Sequence, residues 1–196
     1  MSSQELKRQV IYQLDLHGDE GSILETLRKW RFAGTSPQQP AITVTEGILE
    51  VGSVDGVTFD APPLEEIANC SIDCELRIID DAGDLSRWAG IRVRGFQDNI
   101  LLGYLVYLRS QGKVEIYRAG EVLAESILPT DEWTKEQWIK LRIDIVDATI
   151  KVSVNEQQPL IVTDTRFSDR GRVYLHTYGV RAQIRGFAIY QLLPAS

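Results

Sequence analysis

The sequence is poor in the residues from which compact metal and redox centres are built. It has two cysteines, two histidines and one methionine in 196 residues. A zinc site needs a denser set of Cys and His ligands than two of each. Cys70 and Cys74 lie on one side of a strand pattern with Ile72 between them. Four strand steps separate their Cα atoms by about 13 Å, whereas a disulfide reaches about 7 Å. Free thiols in the core are therefore expected, because an aliphatic face lacks the electropositive pocket that a reactive thiolate needs. Asn69-Cys70-Ser71 also fits a glycosylation sequon, but acceptors favour exposed loops and this triplet opens a strand. No apolar run approaches the length that crosses a bilayer, which excludes a membrane span as a helix. The start, MSSQELKRQ, lacks the apolar stretch of a secretory signal. The expected location is the cytoplasm, or else the chain is a module cut from a longer exported protein. Positive charge is also short: 21 Lys and Arg against 28 Asp and Glu leave a net charge of −7 and a pI near 4.9. That balance repels a phosphate backbone, so nucleic acid is not an expected partner. No Gly-rich phosphate-cradling loop occurs either.

What is present is period-two patterning. In Trp138–Asn155, Ile139, Leu141, Ile143 and Ile145 alternate with Lys140, Arg142 and Asp144. After a polar turn at Val146-Asp147-Ala148, Ile150, Val152 and Val154 alternate with Lys151 and Ser153. This is a hairpin with one aliphatic and one charged face, and such a ribbon is stable only within a larger sheet packed on a second layer. The same reading finds a first strand in which Val10, Tyr12, Leu14 and Leu16 share a side, and a helix opened by the capping box at Ser22-Ile23-Leu24-Glu25, with Leu27 and Trp30 on its stripe. Gly34 to Pro40 reads as a loop and Ile42 to Val51 as a hairpin around Thr45-Glu46-Gly47. From Ser71 to Ile79 the pattern places Ile72, Cys74, Leu76 and Ile78 inward and Asp73, Glu75 and Arg77 outward. Trp88 to Gly95 sets Ile91 and Val93 against Arg92 and Arg94. Strands at Leu101–Arg109, Val114–Arg118, Val122–Ile127, Pro159–Asp164, Val173–Tyr178 and Gln183–Leu193 follow, with a polar connection at Pro129–Gln137. About a dozen short strands with scarcely any helix predict an all-β, antiparallel two-sheet jelly-roll sandwich with one short N-terminal helix. Length predicts a single domain over residues 1–196, with residues 1–8 as a flexible arm.

The succession AGIRVRG, GYLVYLRSQGKVEIYRAGEVL, EQWIKLRIDIVDATIKVSVNEQQPL and DTRFSDRGRVYLHTYGVRAQIRGFAIYQL resembles the concanavalin A-like lectin/glucanase superfamily, especially its laminin-G-like and keto-disaccharide-hydrolase-like branches. The shared landmarks are a Gly-aliphatic-x-x-Arg strand, a Tyr-containing strand before a Gly turn, a Trp-x-x-Leu-x-Ile strand and a final Phe-x-aliphatic strand. The likeness spans about Ile11 to Leu193 and departs at Asn155-Glu156, where the usual Asn-Gly turn is replaced by a longer one. It implies a sheet whose concave outer face holds a glycan. On that reading the face comprises Asp73, Glu75 and Arg77, then Arg92 and Arg94 from the next strand, then Tyr107 and Arg109, with His176 as a further strand residue between Tyr174 and Tyr178. Aromatic rings cover sugar C–H faces, while guanidinium and carboxylate groups bind hydroxyl pairs. A solvated face crossed by ion pairs would give the same alternation. Calcium is the one cofactor that the resemblance admits, with Asp80, Asp81 and Asp84 around Gly83 able to supply oxygen ligands, although Asp also favours turns for its own geometry.

Catalytic signatures are lacking. The Glu-x-Asp-x-x-Glu run by which glucanases of this fold set two carboxylates on one strand does not occur, and Asp73 with Glu75 lacks the span to straddle a glycosidic bond. His17 and His176 are far apart, with no nucleophile elbow near either. Trp30 and Trp138 are expected to be structural, while Trp88 and Trp133 flank loops and serve either as sugar platforms or as pins. The sequence thus predicts a non-catalytic ligand-binding module, with carbohydrate as the expected ligand. Two alternatives stand beside it: a protein-interaction or assembly domain, and a glycan-active hydrolase whose acid and base come from separate strands.

Overall fold

The computed structural model describes residues 6–18, 20–32, 42–54, 56–96, 99, 101–129, 133–134, 136–155, 157–167 and 169–194. The strands are β1 (Leu6–Gln13), β2 (Arg31–Phe32), β3 (Thr43–Thr45), β4 (Ile48–Gly52), β5 (Val57–Ala61), β6 (Cys70–Asp80), β7 (Trp88–Gly95), β8 (Tyr104–Arg109), β9 (Lys113–Arg118), β10 (Glu121–Ile127), β11 (Ile139–Val146), β12 (Thr149–Val154), β13 (Leu160–Thr163), β14 (Arg172–Tyr178) and β15 (Arg181–Pro194). One helix, α1 (Glu20–Arg28), follows β1. An eight-stranded sheet runs β13-β12-β11-β6-β15-β4-β3, with β1 paired to the C-terminal half of β15. A seven-stranded sheet runs β10-β9-β8-β7-β14-β5-β2. Every pairing is antiparallel, so the expected two-sheet jelly-roll sandwich is what the chain forms. Among the described residues no helix is long and apolar enough to cross a membrane.

The core lies between the sheets and is built from the alternating aliphatic positions. The eight-stranded sheet contributes Ile72, Cys74, Leu76, Ile78, Ile139, Leu141, Ile143, Ile145, Ile150 and Val152, and the other contributes Ile91, Val93, Val106, Leu108, Val114 and Ile116. Burial of one such Ile, Leu or Val stabilises the fold by roughly 1.5–3 kcal/mol. Cys70 and Cys74 are buried free thiols, and burial pushes both up to about 12, which leaves them inert as nucleophiles. Asn69 of the sequon is engaged with the β11–β12 turn, where its side-chain oxygen accepts from the Asp147 amide at 2.8 Å.

Local expectations that fail do so for identifiable reasons. Residues 6–8 of the predicted flexible arm are strand, because Leu6, Lys7 and Arg8 pair with Pro194, Leu193 and Leu192. Residues 1–5 lie outside the described ones. The register of β1 slips between Val10 and Tyr12, which turns Val10 outward at 51% exposure while Leu14 and Leu16 go into the core. A one-residue bulge flips every side chain beyond it. The helix begins at Glu20, ahead of the predicted Ser22 cap, and Ser22 instead offers its carbonyl to Thr26 within the helix. Ile23, Leu27 and Trp30 still face the core, where Trp30 donates to the Tyr12 hydroxyl at 2.8 Å and both rings meet Phe187. The side chain of Leu24, the Gly34–Pro40 loop, Glu156 and residues 130–132 and 135 of the Pro129–Gln137 connection lie outside the described residues.

Two of the hairpin turns have positive φ at both central residues: Glu46 and Gly47 between β3 and β4, and Ala119 and Gly120 between β9 and β10. That geometry matches the twist of the flanking strands and favours Asn or Asp before Gly. Ala119 adopts a φ of 43°, a conformation that costs alanine more than asparagine. Ala119→Asn is expected to raise stability by about 0.5–1 kcal/mol, read as a higher urea midpoint at unchanged slope. An unchanged or lowered midpoint would count against strain at this turn.

Candidate functional site

The sheet partition separates residues that the sequence reading placed on one face. Asp73, Glu75 and Arg77 are on β6, in the eight-stranded sheet, whereas Arg92, Arg94, Tyr107, Arg109 and His176 are on β7, β8 and β14, in the seven-stranded sheet. Their outward faces are on opposite sides of the sandwich. The strand that follows β6 in sequence is therefore not its neighbour in space, and β6 pairs with β11 and β15.

On the eight-stranded sheet the outward residues are consumed by cross-strand pairing. Asp73 accepts from Arg8 at 2.7 Å and Glu75 from Arg185 at 2.5 Å, and Arg77 donates to Gln183 at 2.8 and 2.6 Å. The guanidinium groups of Arg77 and Arg185 stand 4.5 and 4.3 Å from the Trp138 ring centroid. Strands β11 and β12 follow a strict in-out burial alternation there. This is the solvated, ion-paired face that the sequence allowed as its alternative.

The seven-stranded sheet behaves differently, because its central strands are buried on both faces. The outer face is a grid set by the β-ladder registers. One row holds Tyr117, Leu105, Arg92 and Tyr174, the next Glu115, Tyr107, Gly90 and His176, and the third Arg109, Trp88 and Tyr178. Arg92, Leu105, Tyr107, Glu115, Tyr174 and His176 are only 2–4% exposed, although they point away from the core. Polar groups on an open sheet face reach such burial only where large neighbours and loops crowd over them. Gly90 has no side chain to fill the middle of the grid, and the Trp88 ring lies 4.9 Å from Tyr107 and 4.5 Å from His176 on its two sides. Tyr178, half exposed, stacks beside Trp88 at 6.0 Å and 26°. The result is a patch of accessible ring surface above a layer of locked polar groups.

That layer has two parts. Glu115 accepts from the Tyr107 hydroxyl and from Arg109 Nε at 3.1 Å, with Lys113 3.7 Å away. Burial works against its charge, but Arg109, Tyr107 and Lys113 together outweigh it and hold the carboxyl below the usual range. Burial and Glu115 push the Tyr107 phenol upward. Arg109 also donates to the Ser86 carbonyl at 2.7 Å, fastening the loop that enters β7 just before Trp88. The second part is Arg92, which donates to the Leu101 carbonyl at 2.9 Å and stands 3.5 Å from His176 Nδ1. Burial and the charge of Arg92 depress His176 well below its ordinary value, so its ring is neutral at pH 7. Burial also pulls Arg92 down to about 10, with Tyr117 acting in the opposite direction.

Arg94 belongs elsewhere. Its φ of 51° marks a bulge opposite Arg172–Tyr174, and its guanidinium donates to the Phe167 and Ala68 carbonyls at 3.0 and 3.3 Å. It ties two loops at the rim instead of lining the face. Glu75, Arg94 and Tyr107, expected on one face, are thus not brought together. His176, read as a further strand residue of the face, is in the grid but beneath the surface. Trp133 packs on Gly112 and donates to the Ser110 carbonyl at 3.3 Å, which makes it a pin. The three loop aspartates serve their own turns: Asp80 accepts from Ala82 N, Asp81 from Gly83 N, and Asp84 from Ser86 N and Oγ. Among the described residues no group of three or more metal-type ligands comes together.

Glu115 and Tyr117 were missed in the sequence. Their signal was the run Lys113-Val114-Glu115-Ile116-Tyr117, whose alternation puts both on the outward side next to Tyr107 and Leu105 once the β8–β9 turn is accepted.

No protein-family model and no curated protein matches the sequence. Solved structures do resemble it. The carbohydrate binding module CBM66 from Bacillus subtilis is 16% identical with a TM-score of 0.67, over 82% of this chain and 94% of that one. A protein of unknown function with a galectin-like fold, also from Bacillus subtilis, is 13% identical with a TM-score of 0.67, over 97% and 100%. The VIP36 exoplasmic/lumenal domain in its Ca2+/Man3GlcNAc-bound form is 8% identical with a TM-score of 0.63, over 85% of each chain. With two antiparallel sheets, one short helix and these structural likenesses, the chain has the concanavalin A-like jelly-roll sandwich fold.

Proposed function

We propose that the protein is a carbohydrate-binding module whose ligand lies on the outer face of the seven-stranded sheet. The observation that carries this reading is the pair of accessible rings Trp88 and Tyr178, stacked at 6.0 Å and 26° and backed by the buried rings of Tyr107 and His176 and the Glu115–Tyr107–Arg109 network. A pyranose or furanose ring presents C–H groups that suit an indole or phenol face, and hydroxyls that suit fixed donors beside it. Networks of this kind lock side-chain rotamers in advance, so little ordering entropy is lost on binding. The resemblance to a carbohydrate binding module and to a glycan-bound lumenal domain agrees with it. A Glu115 carboxyl held ionised by three partners is suited to accept hydrogen bonds, not to donate a proton to a leaving group. Binding without hydrolysis is accordingly the activity assigned.

Trp88→Ala is the direct test. It is half-buried on the outer face and contributes nothing to the inter-sheet core, so the variant is expected to stay folded by circular dichroism. Its affinity for glycans selected from an array with the native protein should fall about thirtyfold, equivalent to about 2 kcal/mol. Calorimetry showing affinity within about threefold of native would remove this face from consideration, and a blank array with the native protein would remove the carbohydrate reading.

A further inference from the structure

We infer that this face selects a saccharide bearing a negative substituent, a carboxylate or a sulfate, and that Arg92 is the residue that selects it. The inference rests on the carbohydrate reading and narrows it to a ligand class. Most guanidinium groups described outside this position meet a carboxylate: Arg8 with Asp73, Arg109 with Glu115, Arg118 with Asp164, Arg142 with Asp144, Arg181 with Glu50 and Arg185 with Glu75. Arg92 does not. It is 2% exposed, its donors address one carbonyl and one neutral imidazole, and its Nε is buried without a hydrogen-bond partner. Arg94 is equally buried and its Nε is likewise unpartnered, but it lies at the rim, bonded to two carbonyls and influenced by Asp147 and Asp169. Arg77, bonded to Gln183 on the other sheet, and Arg172, only half-buried at the first position of β14, also have no ion pair among the described residues. The carboxylate nearest in the grid to Arg92, Glu115, is already neutralised by Arg109 and Lys113.

A buried charge without a counter-charge is costly in solvation, and that cost is relieved when an anion docks beside it. The chain as a whole carries −7, so the local positive excess on this face stands out against the net field and draws anions to one place. Arg92 is four residues from Trp88 on the same strand and the same face, about 13 Å between Cα atoms. A short oligosaccharide resting on Trp88 can extend a charged substituent toward it. Coulombic attraction is strengthened there because water is largely excluded.

The test uses the full chain and matched oligosaccharides on one array: tetragalacturonate with its methyl ester, and a heparin-derived octasaccharide with its desulfated form, among neutral glycans. The acidic member of a pair should bind about tenfold or more tightly than its neutral counterpart, an advantage of about 1.4 kcal/mol, and this advantage should shrink as salt rises. Which pair discriminates identifies carboxylate or sulfate. Arg92→Met should bring the two members of that pair within about threefold of each other, whereas Trp88→Ala should weaken both. Neutral glycans bound as well as acidic ones, or an Arg92→Met variant that weakens both members equally, would overturn the inference while leaving carbohydrate binding in place. If Arg92→Met does not fold, the matched pairs and the salt dependence of the native protein decide by themselves. A blank array defeats both readings together.

Discussion

Gly90→Ala is expected to destabilise the protein by more than about 3 kcal/mol, or to prevent folding. A Cβ at this position would lie 2.1 Å from the Val106 carbonyl oxygen and 2.5 and 2.6 Å from Cα and Cβ of Tyr107. These are backbone and stem atoms of β8, so relief requires moving β7 away from β8 in the centre of the seven-stranded sheet. The same movement would draw Trp88 away from Tyr107, so any folded fraction should also lose glycan affinity. Gly18→Ala serves as the control, because its added Cβ would meet only Ile23 Cγ1 at 3.9 Å, and it should be neutral or slightly stabilising. Urea titration of the two variants checks this. A loss below about 1 kcal/mol for Gly90→Ala would show that the strand spacing adapts more easily than a β-ladder should.

The second large effect is expected at Glu115. Glu115→Ala leaves the Tyr107 O–H and the Arg109 Nε–H without an acceptor and Arg109 without its carboxylate, although Arg109 keeps its bonds to the Ser86 carbonyl and the Tyr107 hydroxyl oxygen, at a cost of about 3 kcal/mol. Glu115→Gln keeps an acceptor and should cost less, but it removes a titration. The native carboxyl is held below its ordinary value. Its stabilisation is therefore fully present above the unfolded carboxylate pKa of about 4.3 and is lost as pH falls through the lower folded value. Asp164 acts in the same sense: burial opposes its charge, but the Tyr104 hydroxyl, the Arg166 amide and Arg118 hold it down. Denaturation measured between neutral pH and about pH 3 should show a shallower acid decline in Glu115→Gln than in the native protein, with the Asp164 contribution remaining. Parallel pH profiles for the two proteins would mean that Glu115 is not the group being titrated.

Both effects come from the face that sequence patterning described least well. Alternation assigned Arg92, Tyr107 and Arg109 correctly to the side opposite Ile91, Val106 and Leu108. It could not show that this side is crowded, because an outward residue in a ladder is written the same way whether water or a neighbouring ring covers it. Asp73, Glu75 and Arg77 were assigned outward with equal success. Their paper neighbours on β7 proved to lie in the opposite sheet. Arg94 escaped because a bulge, which carries no residue signature of its own here, rotates it out of register. Val10 was misplaced by the same kind of slip.

The amino-acid sequence by itself determined the strands, the inward set of Ile, Val and Leu, the two-layer architecture and the free thiols. Each of these follows from local periodicity and from the need to remove apolar groups from water, and both are written in the order of residues. Only the tertiary structure decided which strands share a sheet, and so which polar residues meet. The hydrogen bonds that join strands are between backbone groups and are the same for every residue, so partner choice is made by the packing of the whole sandwich. That choice put Glu115 beside Tyr107, left Arg92 without a carboxylate among the described residues, and set Trp88 across the gap at Gly90.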